Sequence, residues 1–144
     1  VYLKDKPAYN LINGILELNY LENQGAAFGM LPNQKMFFVF VAFVILFVVG
    51  YVLIKTPDHK KYTILHVLFS LIVAGSIGNM IDRVSYDYVV DFIYIVRLNF
   101  PIFNVADIYT TVSAVVLLFL LLFVYKEKDL YFISFKQKRC RELK

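Results

Sequence analysis

The sequence predicts an all-α integral membrane protein: a transmembrane helical bundle with a small extracytoplasmic segment that contains β-structure. Three observations predict it. The 144 residues are 60% hydrophobic, far above the roughly 45–50% apolar content of ordinary soluble domains. Three apolar runs, Met36 to Ile54, Thr63 to Ile81 and Ile108 to Tyr125, interrupt an otherwise mixed chain. Ahead of them, Leu16, Leu18 and Tyr20 alternate with Glu17 and Asn19, the period of a strand with one face on apolar material.

The strand is followed by Gly25-Ala26-Ala27-Phe28-Gly29, small residues that admit another backbone or an extended peptide, or else form a tight hairpin turn. At 1.5 Å per residue each apolar run reaches about 27–29 Å, close to the roughly 30 Å hydrocarbon core. Lys35 and Lys55 bracket the first, with Tyr51 near one end, and Tyr125 and Lys126 close the third, as interfacial anchors do. Gly75, Ser76 and Gly78 make the second run suited to close helix packing. If that helix continues past Ile81, Asn79 shares a face with Asp82 and Arg83.

Orientation follows from the lysines. The loop Lys55 to Tyr62 carries Lys55, Lys60 and Lys61 against Asp58, and the tail carries Lys126, Lys128, Lys136, Lys138, Arg139, Arg141 and Lys144, so both belong on the cytoplasmic side. The formal net charge of +4 thus reads as membrane anchoring beside anionic lipid, with no nucleic-acid partner. Residues 1–34 and 82–107 then face outward. Lys4, Asp5 and Lys6 oppose unaided translocation, so a further helix is expected upstream, giving four spans in the complete protein and a single domain over residues 1–144 here. The lone Cys140 reads as a passive thiol.

Carboxylates at a bilayer edge are costly unless paired or hydrated, which makes Asp91 and Asp107 the leading functional candidates. If the two approach each other, repulsion splits their titration, and the pair can serve as acid and base in activating a water on a peptide carbonyl. Structural alternatives stand beside this: Asn104 and Asp107, three apart, suit a helix cap, and Arg83 suits an ion pair with Asp82 or Asp91. A small proton- or ion-coupled transporter, or a noncatalytic scaffold, could use the same carboxylates. No zinc, nucleophile-elbow or phosphate-loop motif is present, so chemistry without a metal or cofactor is expected. His66 falls near the inner end of the second run, and His59 lies in the inner loop.

Four blocks carry a family resemblance: Asn23-x-Gly25-Ala26-Ala27-Phe28, Gly78-Asn79-x-x-Asp82-Arg83, Val89-Val90-Asp91-Phe92 and Phe103-Asn104-x-Ala106-Asp107. In order and separation, over essentially the whole chain, they resemble signal peptidase II, the lipoprotein signal peptidase family. The resemblance implies a monomeric, multi-pass aspartic endopeptidase of the bacterial cytoplasmic (inner) membrane with an outward-facing site. Its substrates would be lipid-modified prolipoprotein signal peptides, cut just before a cysteine bearing diacylglyceryl. It implies Asp91 and Asp107 as the catalytic dyad, Asn79, Arg83 and Asn104 as residues orienting dyad and substrate, Asp82 in support, and Asn23 with Gly25 touching substrate. The family usually has glycine where this chain has Asp87, a Gly-Gly-Ala type run where it has Ala74-Gly75-Ser76, and a first helix with its own motif. Buried acyl chains, at about 0.8 kcal/mol per CH2, would fix the depth of the cysteine, and the outer strand is expected to pair with an extended scissile segment.

Overall fold

A computed structural model of the chain describes residues 3–25, Leu31 and 34–133. The Ala26-Ala27-Phe28-Gly29 run, Cys140 and the tail residues Lys136, Lys138, Arg139, Arg141 and Lys144 lie outside the described residues. Among those described, β1 (Tyr9–Ile12) and β2 (Leu16–Asn23) form a hairpin, followed by α1 (Lys35–Lys55), α2 (Thr63–Tyr86), β3 (Val89–Ile95) and α3 (Val105–Phe123). All three helices are long and apolar enough to cross a membrane.

Helix α1 has no buried residue and exposes Phe40, Phe43, Phe47 and Ile54, as expected of a helix that is apolar all round and faces lipid. Its Lys55 ammonium lies 5.7 Å from the Tyr51 ring centroid. Helix α2 packs against both others and buries Leu65, Leu68, Phe69, Ile72, Gly75 and Ser76, a stripe at helical spacing. At one end of the bundle Tyr62, Leu65, Phe69 and Tyr125 form a buried hydrophobic cluster. Tyr62 donates to the Asp129 carbonyl at 2.9 Å and Tyr125 to the Lys61 carbonyl at 2.7 Å, tying the chain after α3 back to the α1–α2 loop.

The opposite end carries the sheet, in the order β1-β2-β3 with both pairings antiparallel. Leu16 opposes Ile95 and Leu18 opposes Ile93, but Leu21 opposes Asp91 and Asn23 opposes Val89. The odd step is a bulge of one residue in β2. It alters the expected face: Leu16 and Leu18 share their side with Leu21 and Asn23, while Tyr20 falls with Glu22 and donates to its Oε1 at 3.0 Å. β3 occupies one edge of β2 along its length, and β1 covers the other only from Leu16 to Leu18. Phe103 exchanges backbone hydrogen bonds with Ile93 at 2.8 and 3.0 Å, fixing the free edge of β3.

Two boundaries differ from the sequence expectation. α2 runs on to Tyr86, past the end of the apolar run at Ile81, and Asp91 lies in a strand, β3, where no strand was expected. The helix persists because its polar residues at 79, 82 and 83 turn toward sheet and neighbouring helix, where each finds partners.

Candidate active site

α2 and α3 approach closely because position 75 has no side chain: a Cβ there would sit 2.5 Å from the Ala106 carbonyl oxygen and 2.8 Å from Thr110 Cγ2. That contact, made one turn before Asn79 on α2 and beside Asp107 on α3, brings the two polar residues together. Asn79 Nδ2 donates to Asp107 Oδ1 at 2.8 Å.

Asn104 begins α3 in extended conformation. Its side-chain oxygen accepts from Asp107 N–H at 3.0 Å, while Asp107 Oδ2 accepts from Asn104 N–H at 3.1 Å, a reciprocal capping box. The capping reading is therefore correct, and it explains more than the helix end. With its oxygen committed to the cap, the Asn104 amide turns its NH2 toward Asp91 Oδ1 at 2.7 Å and Asn79 Oδ1 at 3.0 Å. A capping aspartate has no such donor. Asp91 and Asp107, from two different elements, thus hydrogen-bond the same residue.

Asp91 is 1% exposed on the inner face of β3. Its Oδ2 accepts from Asn23 Nδ2 at 2.8 Å. The bulge in β2 makes this possible: without it, Glu22 and not Asn23 would share the face of Asp91, placing a second carboxylate where an amide donor now stands. Asn23 in turn accepts from Gly25 N–H at 2.9 Å. Burial pushes the Asp91 carboxyl above its ordinary value, and the Asp107 charge adds to this; the Asn23 and Asn104 hydrogen bonds and Arg83 act in the opposite direction.

The two charged residues of α2 brace this arrangement. Asp82 Oδ2 accepts from Val90 N–H at 3.2 Å, pinning the strand one residue from Asp91. Arg83 Nη2 donates to the Gly25 carbonyl at 3.2 Å, and its guanidinium stacks 4.9 Å from the Phe38 ring centroid. Among the described residues Arg83 forms no ion pair, so the pairing with Asp82 or Asp91 considered from the sequence gives way to a carbonyl and an aromatic face. Asp87 takes a left-handed conformation with φ of 70° as α2 ends, and Lys35 Nζ reaches its Oδ1 at 2.6 Å. The carboxylate at this turn is thus paired.

All eight residues singled out in the sequence, Asn23, Gly25, Asn79, Asp82, Arg83, Asp91, Asn104 and Asp107, meet at this end of the bundle. His66 lies at the other end, 3.2 Å from the Pro57 carbonyl. Phe38 and Lys35 join the site's surroundings without having been expected there. Lys35 reads in sequence as an interfacial anchor, and Phe38 is one phenylalanine of many in an apolar run.

Comparison with known proteins decides the family. A model of the family described as signal peptidase (SPase) II matches residues 1–123. The chain belongs to the signal peptidase II family. It is 42% identical over 123 residues to the lipoprotein signal peptidase of Caldanaerobacter subterraneus subsp. tengcongensis, covering 85% of this chain and 81% of that one. The lipoprotein signal peptidase of Streptococcus thermophilus is 42% identical over 118 residues, 82% of this chain and 74% of that one. Two solved bacterial membrane enzymes, determined by the in meso method, are similar in fold. One superposes with a TM-score of 0.77 at 34% identity over 85% of this chain and 74% of its own. The other gives 0.73 at 32% over 87% and 82%. Nothing favours a transporter: the carboxylates sit at one end of the helices, away from their middles, where such a protein concentrates its ionisable groups.

Proposed function

We propose that Asp91 and Asp107 are the catalytic pair of a signal peptidase II type aspartic endopeptidase. Membership of the family makes this protein a multi-pass membrane peptidase that removes signal peptides from prolipoproteins. The observation that carries the dyad is the shared Asn104–Asn79 amide network, which holds two carboxylates of different elements in one site.

In this mechanism Asp91 carries the proton, which its burial favours, and hydrogen-bonds the scissile carbonyl oxygen. Asp107, in the first turn of α3 with two N–H donors, acts as the base. It takes a proton from water as the oxygen attacks the carbonyl carbon, and Asp91 gives its proton to the carbonyl oxygen. The resulting diol then collapses. The C–N bond breaks, the nitrogen takes the proton held by Asp107, and a hydroxyl proton returns to Asp91. The products are the carboxyl end of the signal peptide and the free amine of the lipid-bearing cysteine. Asn79 and Asn104 orient the pair, Asp82 positions β3, and Arg83 with Asn23 and Gly25 holds the segment beside the dyad.

The lysine distribution supports a site on the outer face of the bacterial cytoplasmic membrane with the C-terminus inside. Acyl chains embedded at fixed depth bring the cysteine to the bundle end without strong side-chain readout. The test is incubation of the full-length protein in lipid with a prolipoprotein, with and without its diacylglyceryl group. The modified form should be cut to give a lipid-bearing N-terminal cysteine, identified by mass. Efficient cleavage of the unmodified form, or at another bond, would contradict the reading.

A further inference from the structure

A groove of about 540 Å³ opens beside the site, between the end of β2 and the loop from Asn99 to Ile102. Its volume is within the roughly 300–1,000 Å³ typical of ligand pockets. It shares Asn23 and Gly25 with the candidate site, and Asn23 is the residue that donates to Asp91. The groove therefore reaches the residue that holds Asp91.

Its lining is chemically mixed. Asn19, Asn23, Gln24 and Asn99 contribute side-chain amides. Those of Asn19 and Gln24 make no hydrogen bond to the described residues, and Asn99 is engaged only through its oxygen, which accepts from Tyr94 at 2.9 Å. Leu21, Phe100, Pro101 and Ile102 supply apolar surface between them. Acyl chains require continuous apolar walls, which the amides and Glu22 interrupt. Backbone N–H and C=O groups require donors and acceptors together, which amides provide.

Position decides which part of a polypeptide fits. Every lining residue falls between 19 and 25 or between 94 and 102, outside all three spans. The signal peptide before the cleaved bond is apolar and lies on the membrane side, whereas the chain after it leads into water. We propose that this groove binds, in extended form, the first residues of the mature lipoprotein after the lipid-bearing cysteine. The inference rests on the peptidase reading above. The bulge in β2 gains a second role, since it falls at Asn19–Tyr20 and sets the alternation that follows.

The test compares two diacylglyceryl-modified substrates, one with its full mature segment and one ending just after the cysteine, cleaved by the full-length protein in lipid. Hydrogen bonds from the groove amides to its backbone should give the long substrate a KM lower by about tenfold, with kcat little changed. Asn19→Trp and Asn99→Trp, which fill the groove, should each bring that preference near one, while Gly50→Ala on the open face of α1 should keep it. Equal kcat/KM for the two substrates, or a preference that survives both tryptophans, overturns the subsite alone. Failure of the wild-type protein to cut either substrate overturns the peptidase reading and the subsite with it.

Discussion

Replacing Gly75 with alanine tests the physical basis of the site at one methyl group. The new Cβ would lie 2.5 Å from the Ala106 carbonyl oxygen, one atom fixed directly to a helix backbone and the other part of one, so neither has much freedom to yield. Restoring an ordinary contact of about 3.4 Å parts α2 and α3 by about 0.9 Å. Carried to the next turn, the same separation stretches the 2.8 Å bond from Asn79 to Asp107 to about 3.7 Å, beyond hydrogen-bonding range. Overpacking of this kind costs roughly 1–3 kcal/mol, and the better helix propensity of alanine returns about 1 kcal/mol of it. The larger effect falls on turnover, because a displacement near 1 Å at a catalytic group lowers rates by about 100-fold. Cleavage kinetics and thermal unfolding in detergent measure both. Gly78→Ala is the control, since its Cβ meets Ala106 Cβ at an ordinary 3.5 Å, and it should be close to neutral. Wild-type kcat/KM in Gly75→Ala, or equal losses in both variants, would refute the argument that this one contact sets the spacing of the site.

Two further outcomes follow from the same geometry. The N–H of Asn23 favours the ionised form of Asp91, so Asn23→Ala should let Asp91 keep its proton to higher pH. As the proposed role of Asp91 requires that proton, the alkaline limb of kcat/KM should move to higher pH, and an unmoved or lowered limb would argue against it. Asp87→Gly relieves a left-handed conformation worth roughly 1 kcal/mol and removes an exposed ion pair to Lys35 worth about 0–1 kcal/mol. Stability should stay within about 1 kcal/mol of wild type with unchanged cleavage, measured by denaturant unfolding and turnover.

The parts of this protein that face lipid were legible in the sequence, because hydropathy reports directly on the solvent a helix meets. α1 is bounded almost as its lysines suggest. The end of α2 was not, since Asp82 and Arg83 break the apolar run while serving as the helix's contacts with Val90 and Gly25. β3 escaped notice for a related reason: Val89 to Ile95 is apolar on both faces, so it lacks alternation, and its one polar residue is the buried aspartate. β1 is only four residues long. The eight residues that gather at this end of the bundle could be picked out from their blocks. Their connection through Asn104 was not, because sequence shows that a residue can cap but not where the other half of its amide points.

Single replacement of each aspartate by asparagine addresses the dyad most directly. Asp91→Asn and Asp107→Asn, assayed separately in lipid with a diacylglyceryl-modified prolipoprotein, should each lose about 10³-fold or more in kcat while still binding the substrate. Either variant cutting at a rate near wild type would contradict a mechanism in which both carboxyl groups handle protons.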